Sequence, residues 1–207
     1  MASATLANAG TYTVKATAGG VELMSSSAQV SVLLDAPVIT SVTPASQVKL
    51  AGQSAALTTV ASGNGTLLYQ WLKDGVAVAG GTASTLTIPS MGLANAGGYR
   101  VEVRNESGAV QSSAVRVELL GFTQQPQGGS VAFGAPITLS AQAQAGEAAL
   151  SYQWYKDAQL VTGATSASLN VASASLANAG TYTVKATAGG VELISAEAML
   201  NVNLPLP

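Results

Sequence analysis

The 207-residue sequence contains no cysteine and no histidine. The chain therefore has no disulfide, no thiolate nucleophile, no imidazole base and none of the side chains that most often bind transition metals. Its ten acidic residues are scattered singly, so the sequence shows no carboxylate pair of the kind that glycosidases use. We predict a protein that is not an enzyme, with no catalytic residues, no cofactor and no bound metal.

Charge is also scarce. Charged residues make up 9% of the chain, against about 25% in an ordinary soluble protein. The eight Lys and Arg residues are never clustered, which argues against nucleic acid as a partner because such binding needs several phosphate contacts. Apolar residues make up 48% of the chain and the net charge is only -2, which excludes a disordered chain.

Long apolar runs are absent as well. The sequence contains no run of roughly 18 apolar residues, the length that a membrane-spanning helix needs. The opening sequence MASATLANAG lacks the basic and apolar regions of a secretory signal. We therefore expect this sequence to be a piece of a longer protein that is exported by a signal outside it.

An internal repeat is the strongest feature of the sequence. The segment LANAGTYTVKATAGGVEL at 6–23 recurs without change at 176–193, and a weaker copy, LANAGGYRVEV, occupies 93–103. The spacing between the copies that begin at 93 and at 176 also relates YQWLKDG at 69–75 to YQWYKDA at 152–158. Repeats at a fixed period of about 85 residues indicate a tandem array of small domains.

The repeat predicts the domain boundaries. We expect complete domains at 36–120 and 121–204, a partial unit at 1–35 that contributes only its last two strands, and a linker remnant at 205–207. The repeat also indicates an array in which two types of unit alternate. Because the segments between the units are very short, we expect limited bending between them.

The hydrophobic period within a unit is that of β-strands. Ala55, Leu57, Thr59 and Ala61 alternate with polar or small residues, and Gly, Asn and Asp turn signals recur every 8 to 12 residues. This pattern is typical of an antiparallel β-sandwich. Three carboxylates are predicted at outward, solvated strand positions: Glu102, Glu118 and Glu192.

Two motifs carry a resemblance to a known family. The first is Tyr-Gln-Trp-x-Lys-Asp, with tryptophans at Trp71 and Trp154; the second is Leu-x-x-x-Gly-x-Tyr, at 93–99 and 176–182. The chain resembles intermediate-set immunoglobulin-like domains of bacterial surface and secreted multidomain proteins. The resemblance implies an all-β fold of tandem antiparallel sandwiches, two of them complete and one represented by its F and G strands.

The resemblance also implies the residues of the structural core. In this family the motif tyrosine forms a corner in which its hydroxyl bonds to the backbone upstream. The disulfide cysteines of animal domains are replaced here by Thr59 and Val101, and by Ala141 and Val184. The predicted core residues are Trp71, Trp154, Tyr99, Tyr182, Tyr12, Leu93 and Leu176.

These features predict a non-catalytic spacer or adhesive stalk of a large bacterial extracellular protein, located outside the cell or on its surface. One alternative is a subunit of a self-assembling filament, in which residues 1–34 associate with another copy by edge pairing or by exchange with the equivalent hairpin at the C-terminus. The other is a carbohydrate-binding accessory module of a secreted enzyme, for which the candidate exposed aromatic is chiefly Tyr155, followed by Phe122 and Phe133. A calcium site between units would have only Asp35 at the first junction.

Overall fold

The structure is a computed structural model that describes residues 4–205. The first three residues of the predicted partial unit and the last two of the predicted linker remnant, Leu206 and Pro207, lie outside the described residues. Within this range the chain is built from β-strands and three short 3-10 turns, as the alternating pattern predicts. The 3-10 turns are Leu6–Asn8, Leu93–Asn95 and Leu176–Asn178.

The strands fall into three groups that pair only within themselves. We call the first group the N-terminal hairpin, and its strands are β1 Gly10–Tyr12, β2 Lys15–Ala18, β3 Val21–Met24 and β4 Ala28–Val30. Strand β1 pairs with β4 and strand β2 with β3, both antiparallel. The hairpin therefore consists of two long arms joined at the Gly19-Gly20 turn.

The second group, the middle unit, is a sandwich of two sheets. Its strands are β5 Val38–Thr43, β6 Ser46–Lys49, β7 Ala55–Ser62, β8 Leu68–Lys73, β9 Val76–Ala77, β10 Thr85–Ile88, β11 Gly97–Asn105, β12 Gly108–Gln111 and β13 Val115–Leu119. One sheet has the order β10-β7-β5, and the other has the order β6-β13-β11-β8-β9 with β12 added beside β11. Every pairing is antiparallel except β6 with β13.

The third group, the C-terminal unit, repeats this plan. Its strands are β14 Gly121–Gln124, β15 Gly129–Ala132, β16 Ile137–Ser140, β17 Gln142–Gln144, β18 Leu150–Lys156, β19 Gln159–Leu160, β20 Ser168–Val171, β21 Gly180–Ala188, β22 Val191–Ile194 and β23 Ala198–Asn203. The larger sheet has the order β15-β23-β21-β18-β19, with β22 beside β21. The opposite face is formed by the pairs β16-β20 and β14-β17.

A tryptophan lies at the centre of each complete sandwich. Trp71 and Trp154 are both fully buried, and each belongs to a separate cluster of apolar side chains drawn from both sheets. The indole Nε1 of Trp71 donates to the carbonyl of Ala83 at 2.9 Å, and that of Trp154 donates to Ser166 at 2.9 Å. Tyr99 and Tyr182 are buried in the same two clusters.

Apolar packing replaces the disulfide between the sheets. Val101, Ala141 and Val184 are fully buried, and Thr59 is buried with its hydroxyl donating to the carbonyl of Ser41 at 3.1 Å. Each sandwich core therefore closes without a covalent link.

The predicted core positions Leu93 and Leu176 are wrong, because both side chains are exposed. Each leucine begins a 3-10 turn that lies outside the sandwich. The buried residue at this corner comes two positions earlier, at Met91 and Ala174. Backbone bonds hold it there: Met91 N donates to the carbonyl of Gln53, and its own carbonyl accepts from Gly52.

Tyr12 also lies outside a core. It forms the same corner as its counterparts, since its hydroxyl donates to the carbonyl of Asn8 at 3.1 Å. Its side chain nevertheless remains 50% exposed, whereas Tyr182 is 3% exposed. The difference arises because no strand of the described residues packs over this face of the N-terminal hairpin.

Candidate functional site

The middle and C-terminal units are joined by an apolar cluster that contains side chains from both. Val48 and Leu120 of the middle unit pack with Ala145, Ala186 and Ala188 of the C-terminal unit, and all five are buried. Leu120 is 1% exposed, although it lies at the boundary between two units. We call this cluster and the polar groups around it the joint.

The joint is positioned by strand ends. On the middle-unit side, the amide of Leu120 donates to the carbonyl of Lys49 at 2.9 Å, which extends the parallel β6-β13 pairing by one step. On the other side, the loop after β17 and the turn between β21 and β22 lie against these strands, through Gly146 beside Glu118 and Gly189 beside Val48. The two units therefore meet end to end.

Two glycines permit the close approach of the units. A Cβ on Gly189 would lie 2.5 Å from Cγ2 of Val48, and a Cβ on Gly146 would overlap the carboxylate of Glu118. Both glycines have positive φ, +53° and +57°, a conformation that side chains other than glycine rarely adopt. Each glycine thus serves both the tight turn and the contact across the joint.

An ionic group flanks the apolar cluster. Arg116 of the middle unit pairs with Glu147 of the C-terminal unit, with Nε and Oε2 3.0 Å apart. Arg116 Nε also lies 3.9 Å from Glu118 Oε1, and the amide of Glu147 donates to the same oxygen at 3.4 Å. A salt bridge that is half exposed contributes little by itself, but here it adds geometric constraint to an apolar contact.

The prediction that Glu118 is solvated is wrong. Its side chain is buried, with the residue 6% exposed, because the loop around Gly146 of the C-terminal unit covers it. Glu118 does point away from the core of its own sandwich, as the alternation indicates. Glu102 and Glu192 are paired at the surface with Gln111 and Lys185, respectively.

The segment between the N-terminal hairpin and the middle unit has a different, polar set of contacts. Asn105 Nδ2 donates to the carbonyls of Asp35 at 2.7 Å and Asn64 at 2.9 Å, and Asn64 Nδ2 donates to Asp35 Oδ2 at 3.0 Å. The Asp35 carboxylate, considered above as a calcium ligand, is thus held by an amide. Among residues 4–205, no three His, Cys, Asp or Glu side chains converge as a metal site.

A second recurrent polar contact connects a turn to the neighbouring strand in each complete unit. Asp74 accepts from the amide of Gly98 at 2.9 Å, and Asp157 accepts from the amide of Thr181 at 2.8 Å. The ammonium group of the adjacent lysine and this amide together lower the pKa of both carboxyls below the ordinary 3.8. Each of these carboxylates therefore braces the turn after the tryptophan strand against the neighbouring strand.

The tyrosine corners are formed as the resemblance implies. Tyr99 donates its hydroxyl to the carbonyl of Asn95 at 2.7 Å, and Tyr182 donates to Asn178 at 2.9 Å. Burial raises the pKa of both phenols above the ordinary 10.0. The Asn178 side chain in turn accepts from the amide of Ser175 at 2.8 Å, so that a neutral residue closes the turn.

The three aromatic residues considered for carbohydrate binding have different environments. Phe122 packs against both the core of the C-terminal unit and the joint, and Tyr155 is partly buried on β18. Of the three, Phe133 alone is strongly exposed. The three residues therefore do not share one exposed apolar face.

Comparisons with known proteins agree with this geometry. The model of the immunoglobulin domain family matches residues 36–105. A Glu-to-Ala mutated variant of three titin immunoglobulin domains superposes with a TM-score of 0.62 at 18% identity, covering 97% of this chain and 76% of that chain. An I-band fragment of titin gives 0.60 at 18% identity with the same coverage.

A fragment of Sidekick-1 containing immunoglobulin domains 1 to 4 superposes with a TM-score of 0.51 at 22% identity, over 97% of this chain and 60% of that chain. The helical segments of residues 4–205 are 3-10 turns of three residues each, too short to span a bilayer. The described residues therefore have the fold of tandem immunoglobulin-like β-sandwiches, preceded by the N-terminal hairpin.

Proposed function

We propose that this chain is a structural spacer, a stalk segment of a larger extracellular or cell-surface protein that holds other parts of that protein at a fixed distance. We divide it into a partial unit at 1–35, complete units at 36–120 and 121–204, and a linker remnant at 205–207. The resemblance of its two motifs to bacterial surface proteins supports a bacterial parent.

The joint is the observation that carries this proposal. A flexible connection would leave the residues between two sandwiches in water, whereas Leu120 is buried in a cluster that both units build. The interface is sealed by glycines that fit against Val48 and Glu118. A spacer requires such a contact because bending at each connection shortens the distance that an array can span.

The chemistry of the described residues is consistent with a passive role. The carboxylates with lowered pKa, Asp74 and Asp157, are occupied in bracing turns. The buried carboxylate, Glu118, is occupied at the joint. These contacts give each of the three carboxylates a role in stabilising the structure.

Small-angle X-ray scattering of the purified chain, combined with light scattering, tests the spacer role. We expect a monomer whose scattering fits one extended shape, unchanged with salt and concentration. A profile that fits only a broad ensemble of bent arrangements would contradict a spacer function.

The second candidate is assembly with another polypeptide through residues 1–34, including the formation of a filament. The observation in its favour is the exposed apolar face of the N-terminal hairpin, which includes Tyr12, Val14 and Leu23. Electron microscopy of the purified chain tests it: uniform filaments would support assembly, and dispersed particles would count against it. A carbohydrate-binding role has less support because Tyr155, Phe122 and Phe133 do not form a common platform.

A further inference from the structure

The N-terminal hairpin has the local geometry of a hairpin that is already part of a sandwich. Gly10, Thr11 and Tyr12 pair with Val30, Gln29 and Ala28, and the equivalent residues 180–182 pair with 198–200 in the same register. The amide of Val14 donates to Ser25 Oγ at 2.9 Å, as Val184 donates to Ser195 Oγ at 3.0 Å. The hairpin is therefore preformed for docking.

What differs is the cover on its apolar face. Val14 is 69% exposed, whereas Val184, the same residue of the identical segment, is 0% exposed. In the C-terminal unit the opposite sheet covers this face, and its Ile137, Leu139 and Leu169 belong to the same buried cluster as Val184. Strand β18 pairs with the edge of β21, so that Trp154 lies opposite Val184. The outer edge of β2 has no such neighbour among the described residues.

From this comparison we infer that the N-terminal hairpin is a docking surface for the complementary half of an immunoglobulin-like unit. The partner would supply the strands that correspond to β14–β20 of this chain, including a strand with the Tyr-Gln-Trp pattern. In the register of the C-terminal unit, its tryptophan would lie opposite Val14 and its glutamine opposite Lys15. This inference goes beyond the spacer role and does not depend on the joint.

The partner's chemistry follows from the identity of the two segments. Residues 6–23 and 176–193 have the same sequence, so they present the same side chains to whatever packs on them. In the C-terminal unit these side chains contact the indole of Trp154 and the aliphatic groups of Ile137 and Leu139. An apolar half-sandwich with an indole at its centre is therefore the occupant that fits.

Exchange with a second copy of the chain fits less well. Each copy has one half-unit that accepts this hairpin sequence, formed by β14–β20, and that half-unit is already covered by β21–β23. If the N-terminal hairpin of one copy entered this position in another, it would expose the hairpin that it displaced. The buried area would not increase, while the association would still lose translational and rotational freedom.

The test adds a separate polypeptide with the sequence of residues 121–173 to the full chain and follows backbone amide exchange of the N-terminal hairpin by mass spectrometry. The peptides must extend into 24–30, where the sequence differs from 194–200. We expect amide exchange in 10–18 to slow by at least about tenfold when the probe is saturating, because strand pairing protects amides.

Two variants of the full chain give the matched control. Val14→Lys places a charge on the face that the probe would cover, and we expect the protection to be lost. Thr13→Lys places the same charge on the opposite face, since the equivalent Thr183 points away from the core, and the protection should remain.

Three outcomes would overturn the inference. One is unchanged exchange of residues 10–18 at saturating probe, and another is protection that survives in Val14→Lys. The third is a dimer of the chain in light scattering without the probe that is lost in Val14→Lys, which would assign the face to a second copy. Unaltered exchange in the middle unit of each variant verifies that the chain is folded.

Discussion

Gly189 lies against Val48 of the neighbouring unit, so close that a Cβ on the glycine would be 2.5 Å from the valine Cγ2. Gly19 is the same residue of the identical segment in the N-terminal hairpin, with φ of +57° against +53° for Gly189. A Cβ on Gly19 would meet nothing within 4 Å. The same residue in the same turn thus has a contact across the joint in one place and none in the other.

This pair separates contact from backbone strain. Gly189→Ala should strain the turn by about 1 kcal/mol and also push the units apart, whereas Gly19→Ala should strain its turn alone. We expect NMR relaxation to show one common tumbling time for the two complete units in the wild type and in Gly19→Ala. In Gly189→Ala the two units should tumble with different times. Equal behaviour of the two variants would show that Val48 does not seal the joint.

Trp154→Ala should destabilise the C-terminal unit by about 3–5 kcal/mol, because it leaves a large cavity and an unpaired carbonyl at Ser166. Chemical denaturation followed by circular dichroism measures the effect, and Trp71→Ala should do the same to the middle unit. Leu160→Ala, at an exposed position, is the control and should change little. A loss below about 1 kcal/mol for Trp154→Ala would contradict its central place in the core.

Ala158→Gly should stabilise the C-terminal unit by up to about 1 kcal/mol. Ala158 has φ of +63° in the turn after β18, where the middle unit has Gly75 with φ of +85°. The reciprocal change Gly75→Ala should destabilise the middle unit by a similar amount. Denaturant midpoints measure both changes in stability. If both substitutions stabilised their units, or both destabilised them, the preference of these two turn positions for glycine would be refuted.

Tyr182→Phe should cost about 1 kcal/mol, because it removes the hydrogen bond from the buried hydroxyl to Asn178. Tyr12→Phe removes the equivalent bond in the exposed hairpin and should leave the unfolding of both complete units unchanged. Equilibrium denaturation at pH 7 measures the free energy of unfolding of the two variants. An equal loss of stability in both would show that burial of the tyrosine corner does not determine its contribution.

The tyrosines also predict a dependence on alkaline pH. Burial raises the pKa of Tyr99 and Tyr182 above 10.0, so the folded state binds these phenol protons more tightly than the unfolded chain does. Their contribution is complete below pH 10 and is lost as the pH rises through the folded-state pKa. Denaturation at pH 9 and pH 11 should show a smaller decline in Tyr99→Phe and Tyr182→Phe than in the wild type; an identical decline would count against this.

Much of the fold could be predicted from the sequence because period-two alternation and a repeat are local and directly legible. The alternation around Val101 predicts which side of a strand enters the core, and the Tyr-Gln-Trp pattern marks the central strand. The burial of Leu93 was predicted wrongly because this residue lies in a 3-10 turn outside the sandwich. The alternation of β10 does not continue to it. The sequence signal for the buried residue at this corner is the apolar Met91, two positions earlier.

The joint could not be predicted in the same way. Whether Glu118 is solvated depends on a loop of another unit, and no pattern within its own strand reports that contact. Gly146 and Gly189 are also turn glycines, so their second role against Glu118 and Val48 appears only when the units are placed together. The one local feature that indicates a buried boundary between the units is the pair of consecutive leucines, Leu119 and Leu120, at the end of β13.

The most direct test of a docked joint is the distance between spin labels on the two complete units. The chain has no cysteine, so Val76→Cys with Leu160→Cys, both at exposed positions, gives one label on each unit. Pulsed electron paramagnetic resonance should show a single narrow distance distribution that does not change with salt. A broad distribution, as two sandwiches on a free linker would give, would contradict the account.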